Sequence, residues 1–275
     1  MRTVVIQSYR TTDVAPWLQR CMQAVQAWTE ANGYAYEFVD DTLFDYVPAH
    51  LRQKPYTSLL PLTDLARLGL LRSRLASTYE RAIWMDADVV VFRPGQLTIP
   101  SDCGAMLCHE IWSSFDAQGQ MTHRRGINNA VMIFDRGHPL LDFLYYAAAE
   151  LYAHYDMGTI SPTALGTTFL SKLGKLIPMR LLPQVACLSP VLTRALFDGN
   201  RPDLLRAHAE HYGHAFHAAN LCRSMLADGA SGSYLSEELS DAQLLQMVEM
   251  LIATEGHPLC SLDAEPTDAR EEASA

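Results

Sequence analysis

No stretch of this chain approaches the roughly 18 consecutive apolar residues that a membrane span needs, so no transmembrane segment is expected. Basic residues are in deficit: 21 Lys and Arg stand against 31 Asp and Glu, a formal net charge of −10. A general nucleic-acid binder needs a basic face for phosphates, and a polybasic membrane patch needs clustered cations, so neither partner is expected. The six cysteines (Cys21, Cys103, Cys108, Cys187, Cys222 and Cys260) are scattered and form no Cys-x-x-Cys pair. They read as free thiols of a reducing compartment. Residues 1–7 run straight into strand-like sequence, without the longer apolar core and small-residue cleavage site of a signal peptide. A cytoplasmic location is the expectation. There is no internal repeat.

What is present is a chain of 275 residues, 49% apolar and 19% charged, enough to bury a full core in one large domain or two small ones. Its most informative stretch is Ile83-Trp84-Met85-Asp86-Ala87-Asp88-Val89-Val90-Val91-Phe92. β-Branched apolar runs on either side of a carboxylate pair read as buried strands. Two unpaired carboxylates cannot be buried in a strand, because desolvating each costs several kcal/mol. The Asp-Ala-Asp therefore sits at the mouth of a sheet or holds a cation. Oxygen ligands of this kind suit Mg²⁺ or Mn²⁺, and a diphosphate fills the positions such an ion leaves open.

Around it, patterning predicts strands at Val4–Ser8, Tyr34–Val39, Ala105–Cys108 and Ala130–Phe134. It predicts helices at Pro16–Asn32, Thr63–Thr78, Pro139–Tyr155 and Ser240–Ala253, with a shorter one at Ala164–Lys172. Strand, helix, strand, helix, strand favours an α/β unit with a largely parallel sheet, whose ligands sit beyond the carboxyl ends of the strands. Thr63 or Asp64 is placed to cap its helix. Residues 1–262 are expected to form a single domain, and the small, acidic segment 263–275 to be disordered.

Asp64-Leu-Ala-Arg67, followed by Tyr79-Glu-Arg-Ala-Ile-Trp-Met-Asp86-Ala-Asp88, resembles the DXD-motif nucleotide-sugar glycosyltransferases of GT-A fold. Val5-Ile6-Gln7-Ser8-Tyr9 is similar to the first strand of that group, and Asn128-Asn129-Ala-Val-Met to its element near the donor sugar. A Gly-Pro element that often follows is represented here by Pro162-Thr-Ala-Leu-Gly166-Thr167, and the Gly-Gly-x-Tyr of its mannosyl and galactosyl branches is replaced by Ser77-Thr78-Tyr79. The resemblance covers the first half to two-thirds of the chain. It implies a GT-A-like (Rossmann-like), mostly parallel central sheet with flanking helices, and a nucleotide-sugar donor, UDP-sugar favoured. It further implies a glycan or lipid-linked acceptor, as in polysaccharide biosynthesis, and Mn²⁺ or Mg²⁺. Retention at the transferred sugar is the side to which the resemblance leans.

The roles it implies fall on Asp88 as direct metal ligand and on Asp86, nearer the ribose or the ion. Gln7, Tyr9, Asp64, Arg67, Ala87, Asn128 and Asn129 are implied around the donor, and His217 as the late ligand that completes the metal site. His208, His211, His214 and His217 recur every three residues. For the first three, an exposed polar face is the expectation. A base for the acceptor hydroxyl, if one is needed, is sought by type among Glu110, Asp116 and Asp156. Two other readings stay open. One is a haloacid-dehalogenase-type phosphatase with Asp86 as nucleophile, although that class places its motif nearer the N-terminus with an acidic pair downstream, whereas Asp40-Asp41 lies upstream here. The other is a catalytically silent nucleotide-sugar-binding module.

Overall fold

The structure is a computed structural model and describes residues 1–56, 58–155, 160–222 and 239–259. The first apolar runs become neighbouring parallel strands. β1 (Thr3–Ser8) lies between β2 (Ala35–Val39) and β3 (Arg81–Met85), parallel to both. The crossovers carry α1 (Pro16–Ala31), the short α2 (Ala49–Arg52) and α3 (Leu60–Ser77). After β3 come β4 (Val89–Val91), β5 (Ala105–Phe115), β6 (Met121–Asp135) and α4 (Pro139–His154). Then follow α5 (Thr167–Leu173), β7 (Leu181–Leu182), β8 (Val185–Cys187), α6 (Pro190–Asp198), α7 (Pro202–Tyr212), β9 (Ala218–Asn220) and α8 (Asp241–Ala253).

The central sheet has the order β2-β1-β3-β6-β5-β7. Its pairings run β6 antiparallel to β3 and β5 and the other strands parallel to their neighbours, so β6 alone is reversed in a mostly parallel α/β sheet. A three-stranded sheet, β4-β9-β8, stands beside it. Side chains alternate across the central sheet, as the period of two requires. Ala82 and Trp84 of β3 pack with α3 and α4, whereas Ile83 and Met85 pack with α1, β4 and β8. The outer face of the small sheet is covered by α6, α7 and α8. Ser240 and Gln243 close a reciprocal capping box that starts α8 where the sequence placed it.

Several expectations need correction. α3 begins at Leu60, a turn earlier than the pattern suggested, so neither Thr63 nor Asp64 is its cap. Pro61 at its first turn supplies the start instead. β5 and β6 run far beyond the apolar segments that announced them. Their outer halves, polar in sequence, pair with each other past the end of β3. The histidines do not share a face: α7 ends at Tyr212, before Gly213 in the left-handed conformation (φ 67°), which leaves His214 and His217 off the helix. His208 is fully buried, its Nδ1 2.9 Å from Ser113 Oγ. Asp116 shapes the β5–β6 turn, its Oδ1 accepting from the backbone amides of Gln118 (2.9 Å) and Gln120 (2.8 Å). The expected tail, 263–275, and Asp156 lie outside the described residues. Among the described residues, five of the cysteines are free thiols, and no helix is long and apolar enough to cross a membrane.

Candidate functional site

Strand β3 is buried along its whole length and delivers Asp86 at its carboxyl end. At the same level β6 breaks register with β5. Leu107 pairs with Met132 but Cys108 pairs with Asn128, so residues 129–131 bulge out of the ladder. Bulges re-aim side chains beside functional sites. Here the bulge is fixed by the Asn128 Oδ1, which accepts from the Ala130 amide (2.6 Å), and the Ala130 carbonyl accepts from the Asp86 amide (2.8 Å). The two asparagines and the aspartate are thereby locked to one another through the backbone.

Arg67 holds the centre. Its Nη1 donates to Asp86 Oδ1 (2.9 Å) and to the Asn129 carbonyl (3.1 Å), and its Nη2 lies 3.4 Å from Asp64 Oδ1. The guanidinium stacks on Trp84, 4.9 Å from the ring centre, and the same indole donates Nε1–H to Asp86 Oδ1 (2.7 Å). Asn129 Nδ2 donates to Asp64 Oδ1 (2.7 Å). Gly166 lets α5 approach this cluster: a Cβ there would stand 2.8 Å from Asp64 Oδ2 and 2.9 Å from Asn129 Nδ2. Buried carboxylates are tolerable only with such compensation.

Asp64, Arg67, Asp86, Asp88, Asn128 and Asn129 all line one cavity of about 430 Å³. The other sequence candidates do not. Gln7 lies beneath the site, donating to the Asp86 carbonyl (3.1 Å) and accepting from Tyr36 (3.1 Å). Ala87 is buried in the core against α1 and the small sheet, and Tyr9 packs at the edge of that same core. His217 is displaced by register. β4 pairs with β9 so that Val89 faces Asn220, and the His217 carbonyl accepts from the amides of Phe92 and Arg93 at the far end of the ladder. At about 3.3 Å per residue, His217 lies about 13 Å along the ladder from Asp88, out of reach of a shared ion. The Leu221 amide donates to the Asp88 carbonyl instead (3.1 Å), and Asn220 and Cys222 are the late residues that line the cavity. Among the described residues, no three His, Cys, Asp or Glu side chains gather as a metal cluster.

The cavity also holds groups that local patterning left unassigned. Glu110, considered above only by residue type, is buried on β5 and accepts from Asn128 Nδ2 (2.9 Å). Trp112, Arg124 and Arg125 come from the outer hairpin, and Ser171, Lys172 and Lys175 from α5 and the turn after it. Residues 121–126 read as loop in isolation, and Trp112, Arg124 and Arg125 are brought to one cavity only by the pairing of β5 with β6.

Burial pushes the Asp86 and Glu110 carboxyls above the usual carboxylate range, with Arg67 and Trp84 opposing it at Asp86 and Asn128 at Glu110. Burial raises Asp64 to about 6, against the pull of Arg67 and Asn129. Since the folded value lies above the ordinary one, the folded chain binds this proton more tightly. The associated stability is present below about pH 4 and is lost as pH rises through about 6. Asp64→Asn removes that titration, so its stability relative to the parent chain should rise between pH 4 and pH 7 in chemical denaturation. A difference that stays constant across that range would overturn the assignment.

No family model matches the chain, and no curated protein does. Among solved structures it is similar to a glycosyltransferase involved in the glycosylation of the major capsid of PBCV-1. Identity there is 14%, the match covers 91% of this chain and 100% of that one, and the TM-score is 0.49. It is also similar to mouse xyloside xylosyltransferase 1 in its apo form (12% identity, 81% and 98% covered, TM-score 0.41). A third is the apo form of the glycosyltransferase GlyE of Streptococcus pneumoniae TIGR4 (9% identity, 94% and 62% covered, TM-score 0.45). Likenesses this distant leave the chemistry to be read from the side chains.

Proposed function

We propose that the chain is a metal-dependent glycosyltransferase of GT-A type, moving a hexose from a nucleoside-diphosphate sugar to a hydroxyl of a glycan or other acceptor. The observation that carries this reading is the convergence of Asp86, Asp88, Arg67, Asp64 and Asn129 in one cleft at the carboxyl ends of the parallel strands. That is where α/β sheets bind ligands. The donor set of Asp86 and Asp88 fits a hard divalent cation, Mn²⁺ or Mg²⁺. The two carboxylates would hold it, with remaining positions left to phosphate oxygens and water. When bound, such an ion supplies charge neutralisation where a departing diphosphate accumulates negative charge.

The protein's own contribution is orientation. Arg67 and Trp84 fix one oxygen of Asp86, so its carboxylate is aimed before any ligand arrives. Asn129, tied to Asp64, stands beside them for contact with the donor sugar. In the transfer, the acceptor hydroxyl oxygen forms the new bond to the anomeric carbon as the bond from that carbon to the diphosphate breaks. The hydroxyl proton goes to the leaving diphosphate, and the sugar keeps its configuration. The donor base is proposed to be uracil. Asp86 as a phosphatase nucleophile is not favoured, because its Oδ1 already accepts two hydrogen bonds.

The test is thermal stability of the chain with UDP, GDP, CDP and their sugars, each with and without Mn²⁺. A ligand bound only by the native state raises stability in proportion to the logarithm of its concentration over its Kd. A metal-dependent shift with UDP, followed by transfer that keeps the anomeric configuration in NMR spectra, is the expected result. A shift without turnover or donor hydrolysis would support the silent binding module. No shift with any nucleotide would remove the reading.

A further inference from the structure

The cleft has two chemically different halves. The inner half is the Asp86–Arg67–Asp64 cluster. The outer half is walled by Arg124 and Arg125 of the β5–β6 hairpin and by Lys172 and Lys175 at the end of α5. Among the described residues, none of these four side chains donates a hydrogen bond or closes a salt bridge, and the one carboxyl on which Arg124 acts is the buried Glu110. Four cations against the single neighbouring acid Glu110 leave this half of the cavity with an excess of positive charge, in a chain of net charge −10. A bound anion balances that excess.

The donor diphosphate is not that anion. Asp86 abuts Ala130 in the bulge, while the Trp112–Arg124 pair lies four residues beyond the Cys108–Asn128 pair where the regular ladder resumes, about 13 Å along it. A diphosphate held at Asp86 and Asp88 would sit at the bulge end of the cleft and leave the Trp112–Arg124 end to a second group. On the face that points into the cavity, Trp112 of β5 pairs directly with Arg124 of β6. Trp17, Trp28 and Trp84 are at most 2% exposed, whereas Trp112 is partly exposed and offers its ring to the cleft. An indole face takes the apolar face of a pyranose ring, and a neighbouring guanidinium or ammonium takes a charged substituent on that ring.

We infer that this outer half is the acceptor subsite, and that it takes a saccharide bearing a carboxylate or a phosphate, stacked on Trp112 and held by Arg124, Lys172 and Lys175. The inference rests on the transfer reaction proposed above and names the acceptor class for it. It also separates the duties of the cleft: a cation-dependent inner half for the donor, and a fixed-charge outer half for the acceptor.

Trp112 provides its own reporter, because it is the exposed member of four tryptophans. Intrinsic fluorescence would be titrated with trigalacturonate, with its methyl ester, with galactose 1-phosphate and with galactose. The expected result is a fluorescence change at least tenfold tighter for the charged sugars than for their neutral counterparts, weakening steeply with salt. Response to only one charged sugar tells carboxylate from phosphate as the recognised group. Lys172→Glu/Lys175→Glu should lose most of the discrimination while melting like the parent chain, since both lysines are exposed. Trp112→Phe should abolish the signal and keep the binding in calorimetry. Equal affinity for trigalacturonate and its methyl ester, and for galactose 1-phosphate and galactose, overturns the inference. If UDP and Mn²⁺ still shift the melting temperature in that case, the donor reading stands and only the acceptor class is lost. If the charged sugars bind but no nucleotide does, the anionic subsite stands without the donor reading.

Discussion

Arg67→Met is expected to destabilise the chain by about 3–5 kcal/mol at pH 8, the cost of removing one partner from a buried ionic cluster. The side chain of Arg67 is 7% exposed and serves two carboxylates, Asp64 and Asp86, together with the Asn129 carbonyl. Methionine fills much of the same volume and can still pack on Trp84, so the loss reports charge rather than a cavity. What remains is a pair of desolvated acids with no cation between them. They escape by taking up protons, and the burden is therefore pH-dependent. Burial already raises Asp64 to about 6 with Arg67 present, and without the guanidinium that value moves further up. The destabilisation should shrink as the pH falls to 5, below the value of about 6 at which Asp64 titrates in the parent chain. Denaturant unfolding at pH 5 and pH 8 measures both values. Asp64→Asn in the same background should recover part of the loss, because the two residues share one network and their effects do not add. A loss below about 1 kcal/mol, or one equal at both pH values, would show that the cluster is not electrostatically coupled as its geometry indicates.

Asp88→Asn is expected to reduce sugar transfer by roughly 10³-fold or more, the scale of losing a group that stabilises developing charge. The amide preserves the shape of the side chain and removes the charge on which a divalent ion depends. The backbone at this point is held independently: the Asp88 carbonyl accepts from the Leu221 amide, and Val89 is paired with Asn220. The melting temperature should therefore stay within about 4 °C of the parent, equivalent to about 1 kcal/mol for a chain of this size. The metal-dependent part of the UDP stability shift should vanish in the same variant. Turnover within tenfold of the parent would exclude Asp88 as an ion ligand. Lost turnover with the metal-dependent shift intact would move its role from the ion to the acceptor.

These two outcomes bear on different parts of the cleft. Arg67 is a positioning residue that acts through Asp86, and its loss reaches function by way of the fold. Asp88 is expected to touch the ion, and its loss reaches function with the fold in place.

The Asp86–Asp88 strand end was legible from local signals, whereas Asp64, Arg67, Asn128 and Asn129 were singled out by what the family resemblance implies. A β-branched run that ends in a carboxylate places that carboxylate at a strand end, since the strand itself cannot solvate it. A helix bearing Asp64 and Arg67 at i,i+3 holds both on one face, and the Asn128–Asn129 pair precedes an apolar strand. Hydrophobic periodicity likewise determined β1, β3, α1, α4 and α8. The outer half of the cleft was not legible in this way. Glu110, Trp112, Arg124 and Arg125 lie on strand extensions whose polar sequence looks like loop until the two are paired, and pairing is a long-range property. The same holds for the late residue beside Asp88. The sequence offered His217, but the β4–β9 register brings Asn220 and Cys222 to the cavity and leaves His217 at the other end of the ladder. A slip of a few residues in a register changes which side chain reaches a site, and nothing within either strand states what the register is. Composition and periodicity decided the α/β core and the acidic strand end. Strand pairing and the β6 bulge decided which charges surround them, because those depend on contacts between segments far apart in the chain.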